Sequence, residues 1–226
     1  MVQRHATSRP MSYPNTPQHI KDAITEYVPN LDGWLLPERG IEMADAIFET
    51  KPKICVELGV FGGRSLISQA FALREINEGG VAVGIDPWRV EDALDGEQDP
   101  ANRDWWTRNI DIEAIHRGAM RAIWDHHIEP WTAIIRSASQ HVAPIIGEIG
   151  FLFIDGNHSE TASLRDVELW VPKVKSGGYI FVDDADWPST QRAYTRLREM
   201  ADVVRVGAEH RDGGTQANRY LVCRKK

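Results

Sequence analysis

Three carboxylates and a histidine stand at the ends of two apolar runs. Asp155 closes "GFLFID" and is followed by His158 in "DGNH", while Asp183 and Asp184 close "YIFVDD". Short apolar runs bounded by turn residues read as buried strands. Neighbouring parallel strands lie about 5 Å apart, so acids at their tips converge. Left uncompensated, such acids repel one another and lose stability. A hard divalent cation removes the repulsion, and several carboxylate oxygens completed by water or substrate suit Mg²⁺ or another divalent ion. His158 lies in the loop entering the next helix, placed to take a proton from a hydroxyl bound to that ion, because imidazole titrates near neutral pH. The plainer assignments are helix caps and solvated loop ends for the acids, and a turn cap for the histidine.

A second constellation precedes this one. In "CVELGVFGGRS" a strand runs through a glycine turn into a helix. Gly59, Gly62 and Gly63 let the backbone bend tightly and approach a ligand with no Cβ in the way. The helix beginning near Gly63 offers unpaired N–H groups to a polar ligand atom. The glycine spacing does not match the dinucleotide fingerprint G-x-G-x-x-G. Glu57 at the turn would repel a pyrophosphate and suits an ammonium. Asp86, at the end of the next strand in "GIDPW", is placed to accept from two ribose hydroxyls. A glycine turn followed by a ribose-binding acid fits a nucleoside that carries an amino acid, such as S-adenosylmethionine. Alone, the turn also fits simple strand-to-helix geometry.

These residues need elements to hold them. Helical and strand patterns alternate from Thr16 onward, with helices over "TPQHIKDAITEYV", capped by Thr16, and over "PERGIEMADAIFET". Strands alternating with helices imply an α/β fold: a Rossmann-like, doubly wound, mostly parallel seven-stranded sheet. Two strands in succession at the end, "DVVRVG" and "NRYLVCRK", predict an antiparallel C-terminal strand. Residues 1–16 read as a mobile tail and 17–226 as one domain, within which 87–131 forms a charged, Trp-rich insertion. Its stretch "DALDGEQDPANRD" reads as a lid over bound substrate, and Trp88 as a cover for a nucleobase. Trp187 is a candidate wall for the acceptor.

Hydrophobic residues make up 42% and charged residues 26% of the 226, enough to bury a real core. The net charge of −7, without a dense basic block, argues against nucleic-acid and anionic-membrane partners. No apolar run approaches a membrane span, and the first residues lack the apolar core of a secretion signal. Cys55 and Cys223 fall in apolar runs and read as buried free thiols of a reducing, cytoplasmic compartment.

Together the motifs resemble class I S-adenosylmethionine-dependent methyltransferases, and more narrowly the metal-dependent O-methyltransferases of the catechol and macrolide-sugar types. "ELGVFGGRS" is similar to the first motif of that family, "GIDPW" to its ribose-binding acid, and "RSASQH" to its adenine-contacting Ser-Gln step. The resemblance implies a cofactor set of Glu57, Gly59, Phe61, Gly62, Gly63, Ser65, Asp86, Trp88, Ser139, Gln140 and Asp155. It implies metal ligands at Asp155, Asp183 and Asp184, and catalysis by His158 with Asp155. His158 stands where the catechol type carries lysine and the sugar type histidine, and Asp184 where the catechol type carries Asn, which favours the sugar-like branch. The implied reaction is methyl transfer to a hydroxyl of a small molecule, a sugar or other vicinal diol. Relatives with an added N-terminal helix self-associate, which makes a homo-oligomer one expectation. Two alternatives predict features that are missing. An NAD-linked sugar-nucleotide enzyme needs G-x-G-x-x-G and a Tyr/Lys pair, and a nucleic-acid methyltransferase needs a basic face and a base-stacking motif.

Overall fold

The computed structural model describes residues 12–96, 100–209 and 218–226. Among them seven strands form one sheet: β1 (Ile54–Leu58), β2 (Val81–Asp86), β3 (Thr132–Arg136), β4 (Ile149–Ile154), β5 (Val174–Val182), β6 (Ala201–Glu209) and β7 (Asn218–Lys225). Their spatial order is β3-β2-β1-β4-β5-β7-β6. β1 through β5 pair in parallel, and β7 is antiparallel to both of its neighbours, β5 and β6. The doubly wound sheet with a reversed C-terminal strand is the architecture expected from the sequence.

The described helices are α1 (Gln18–Tyr27), α2 (Pro37–Thr50), α3 (Arg64–Ile76), α4 (Val90–Ala93), α5 (Pro100–Asn109), α6 (Ile112–Asp125), α7 (Ser139–Val142), α8 (Glu160–Trp170) and α9 (Gln191–Met200). Successive strand residues point to opposite faces, so each strand feeds two cores. Phe151, Phe153 and Phe181 meet Ile24, Met43, Phe71 and Ile123 from α1, α2, α3 and α6. Val56, Leu152 and Ile180 meet Val167, Trp170 and Leu197 from α8 and α9. Each large apolar side chain buried this way contributes about 1.5–3 kcal/mol.

Three local features differ from the sequence reading. Thr16 does not cap α1; its N–H and hydroxyl both donate to Asp45 Oδ1, at 2.9 and 3.1 Å, and tie the chain to α2. Residues 100–104, the end of the expected lid, fall in α5, which starts on a proline and carries an Asp104–Arg108 pair one turn apart at 2.8 Å. Within 87–131, α6 packs Ala122 and Ile123 into the first core and serves as the crossover helix between β2 and β3. Residues 97–99 of the expected lid and 1–11 of the expected tail lie outside the described residues.

The strands end level. Leu58 is in register with Ile85 and Ile154, and Ile154 with Val182. Asp86, Gly59, Asp155 and Asp183 therefore form a row along the carboxyl edge of the sheet, where open α/β sheets bind ligands. Among the described residues no helix is long and apolar enough to cross a membrane.

Candidate functional site

A cavity of about 660 Å³ opens along this row. One end is bounded by the glycine turn. Gly59 and Gly63 adopt φ of 84° and 89°. A Cβ on Gly59 would stand 2.0 Å from the Asp155 carbonyl oxygen, and one on Gly62 would stand 2.2 Å from that of Asp32. The turn thus brings the backbones of β1 and β4 closer than any side chain permits. Phe61 takes φ of 50°, and two contacts hold it there. Its N–H donates to Asp86 Oδ2 at 2.9 Å, and its carbonyl accepts from Trp88 Nε1 at 2.9 Å.

Gly59, Phe61, Ser65 and Asp86 line the cavity, as do Ser139, Gln140 and Asp155. Asp86 has a second task, since Oδ2 also accepts from Val60 N–H and Oδ1 accepts from Trp88 N–H. Burial lifts its carboxyl above the usual range, against the pull of these donors. Glu57, Gly62, Gly63 and Trp88 stand behind the lining. Glu57 is fully buried and accepts from Ser65 Oγ at 2.7 Å and Gln69 Nε2 at 2.5 Å. Burial pushes its carboxyl up to about 8. Here it ties β1 to α3. Trp88, 1% exposed, packs on His116 with ring centres 4.5 Å apart and braces the glycine turn through the Phe61 carbonyl.

The other end gathers the acids. Asp183 Oδ1 accepts from Arg39 Nη1 at 2.8 Å and from the Asp184 N–H at 2.8 Å. Asp184, at φ of 46°, accepts from Asn218 Nδ2 at Oδ1 (3.0 Å) and has Oδ2 3.1 Å from His158 Nε2. The same nitrogen is 3.7 Å from Asp155 Oδ1, and the imidazole ring centre is 5.2 Å from that of Trp187. The structure therefore brings Asp155, His158, Asp183 and Asp184 together, as expected.

It adds Arg39 and Glu209, which the sequence reading missed. Arg39 Nη1 also lies 3.7 Å from Glu209 Oε2, and the guanidinium stacks on the rings of Tyr220 and Phe153. One signal was available: an arginine in the first turn of a helix opposes the helix dipole and needs a partner elsewhere. Among the described residues no group of three or more His, Cys, Asp or Glu stands ready as a metal cage. The donor chemistry nevertheless suits a hard divalent ion. Asp155, Asp183, Asp184 and Glu209 outnumber Arg39 and a charged His158 two to one.

Aromatic rings flank the mouth. Trp34 stacks on Phe61 at 5.0 Å, with Trp106 at 6.3 Å and Trp105 at 6.4 Å. Arg64 holds the loop bearing Trp34 by donating to the carbonyls of Leu31 at 2.8 Å and Leu35 at 3.1 Å. Asn157 Nδ2 donates to the carbonyls of Asp92, Ala93 and Asp95 and fastens α4 beside the acids.

A family model described as a methyltransferase domain matches residues 56–185. No curated protein matches the chain. Among solved structures, an O-methyltransferase from Bacillus cereus in complex with SAH is 13% identical, covers 93% of this chain and 92% of its own, and has a TM-score of 0.63. The O-methyltransferase TomG from Streptomyces achromogenes, involved in tomaymycin synthesis and in complex with SAM, is 13% identical, covers 94% and 92%, and has a TM-score of 0.62. The SAH-bound methyltransferase PaMTH1 from Podospora anserina is 13% identical, covers 93% and 89%, and has a TM-score of 0.59. At these identities the likeness is one of fold.

Proposed function

This chain belongs to the methyltransferase-domain family, and on that premise we propose that it moves the methyl group of S-adenosylmethionine to a hydroxyl of a small molecule, a sugar or other vicinal diol. The observation that carries the reading is a single cavity with a glycine turn and buried acid at one end and His158 among three aspartates at the other. The neighbours named above carry SAM or SAH on this fold, which supports the same donor here. In this reading the donor lies between the glycine turn and Ser139–Gln140, and the acceptor lies under Trp187.

Asp155 and Asp184, with Asp183 beside them, are the residues to hold a Mg²⁺ or similar ion. Such an ion, when bound, lowers the pKa of a coordinated hydroxyl and neutralises charge on its oxygen. The chain's own residues do the rest. His158 Nε2 receives the hydroxyl proton, and the neighbouring carboxylates of Asp155 and Asp184 stabilise the resulting imidazolium. Arg39 fixes the Asp183 carboxylate, and Asn218 fixes that of Asp184. α4 and α5 cover the mouth and exclude water, with Asn157 fastening the first and Trp105 and Trp106 lining the cavity from the second. Most of the acceleration comes from holding oxygen and methyl in line.

The test is His158→Ala. It lowers kcat by about 10²–10⁴-fold, the usual range for a positioned general base, while calorimetry with S-adenosylhomocysteine gives an unchanged Kd. An equal loss in donor affinity would place His158 in donor binding and contradict the assignment.

A further inference from the structure

The mouth of the cavity carries two tryptophans whose ring faces the proposed reaction leaves without a ligand. Trp34 is 36% and Trp105 43% exposed, and both line the cavity that holds His158 and the acids. Large apolar side chains left in water forfeit their burial, and a contiguous patch of them marks a binding surface. Here the patch is contiguous. The Trp34 and Trp105 rings are 6.4 Å apart, Trp106 stands edge-on to Trp105 at 5.9 Å and to Phe61 at 6.0 Å, and Phe61 stacks on Trp34 at 5.0 Å. Leu35 and Ile112 add aliphatic surface to the same lining. Rings this close fill one another's gaps, so they make a wall and not a cage. A cage encloses a small cation, whereas a wall takes a flat ring laid against it. Apart from the indole N–H groups, these side chains offer nothing to the hydroxyls of a sugar.

Resting on the functional reading above, we propose that Trp34 and Trp105 are the specificity-determining platform for a planar aromatic ring that the acceptor carries beyond its diol. The acceptor is then an aryl conjugate, with its hydroxyls at His158 and its aromatic ring on the tryptophan wall at the mouth. The platform is formed before the ligand arrives. Arg64 fixes the loop of Trp34 through the carbonyls of Leu31 and Leu35, and Trp105 stands on a regular helix, α5. Little ordering is left for the ligand to induce, so most of the stacking and burial appears as affinity. Contacts to a part of the substrate remote from the reacting oxygen raise kcat/KM when they persist in the transition state. Stacking adds to the burial of the ring itself, so an aryl conjugate gains at least about tenfold over the same diol without it.

The experiment is transfer of a labelled methyl from S-adenosylmethionine, by the full-length protein with Mg²⁺, to paired methyl and 2-naphthyl glycosides of pyranoses with vicinal hydroxyls. Calorimetry with S-adenosylhomocysteine runs beside it. Wild-type protein favours the naphthyl member by at least about tenfold in kcat/KM. Trp105→Ala brings that ratio to within about threefold and leaves the Kd of S-adenosylhomocysteine unchanged, while Trp105→Phe, which keeps a flat ring, retains most of the preference. A role confined to closing the mouth would lower both glycosides alike and leave the ratio untouched. The wild-type comparison stands whether or not the variants fold. Equal use of both glycosides, or an undiminished ratio in a folded Trp105→Ala, overturns the platform and leaves the methyl transfer in place. Weaker binding of S-adenosylhomocysteine by Trp105→Ala puts the tryptophan at the donor and overturns the platform too. Wild-type protein that binds S-adenosylhomocysteine but methylates neither series contradicts the diol reading, and the platform falls with it.

Discussion

At the scale of single residues, Arg39 decides how the acid cluster survives without outside help. It is 1% exposed, bonded to Asp183, near Glu209, and sandwiched by Tyr220 and Phe153. Its guanidinium stays charged, and Asp183 and Glu209 strengthen its hold on the proton against the cost of burial. Removing one member of a buried pair costs about 3–5 kcal/mol, since the remaining charge is left without compensation. Arg39→Met should lose stability in that range by urea unfolding. Arg39→Lys should lose less, because it keeps the charge and forfeits only the planar fork and the ring stacking. A methionine variant as stable as wild type would mean that Asp183 finds its compensation elsewhere. His158 is less buried than Arg39, and its Nε2 faces Asp155 and Asp184. That exposure suits the proton exchange proposed for it.

The element that organises the proposed donor end is the β1–turn–α3 unit. Glu57 locks strand to helix through Ser65 and Gln69. Burial raises its carboxyl from 4.5 to about 8. The folded state then holds a proton that the unfolded chain releases, so stability falls as pH rises from about 4.5 to about 8 and levels off above. Asp166, raised from 3.8 to about 6 by the same cause, adds a slope of the same sign at lower pH. Glu57→Gln removes the ionisation and keeps a hydrogen-bonding group between Ser65 and Gln69. Thermal unfolding of the variant should lose most of the decline between pH 6 and 8. A decline as steep as that of wild type would mean that Glu57 is ionised in the fold.

This unit was largely legible in the sequence, because a short apolar run, three glycines and a helical stripe sit next to one another in "CVELGVFGGRSLISQAF". The acids at the tips of β4 and β5 were legible for the same reason: each directly follows an apolar run. What could not be read was every partner supplied from far along the chain. Arg39 reaches Asp183 across 144 residues, and Asn218 reaches Asp184 across 34. The bond from Trp88 Nε1 to the Phe61 carbonyl, across 27 residues, was hidden for the same reason. α5 was missed because a proline start and the Asp104–Arg108 pair, not an apolar stripe, mark it.

For the whole molecule, topology brings together the glycine turn and the acid cluster, the two ends of the proposed reaction. The strand order reverses direction between β1 and β4, and ligands of open α/β sheets bind at such a switch point. Gly59 and Asp155 flank that point, with backbones too close to admit a Cβ. The ends proposed for donor and acceptor therefore share one edge of one sheet, and α2 and α6 on one face and α8 and α9 on the other hold it in place. The aspartate surplus at that edge is the reason to expect a bound cation. The most direct measurement is transfer of a labelled methyl from S-adenosylmethionine to a panel of vicinal-diol acceptors, with EDTA and after Mg²⁺ is restored. The expected result is a methyl ether formed only with the divalent ion present, and lost in Asp155→Ala even at saturating Mg²⁺. Turnover indifferent to both the chelator and the substitution would contradict the account.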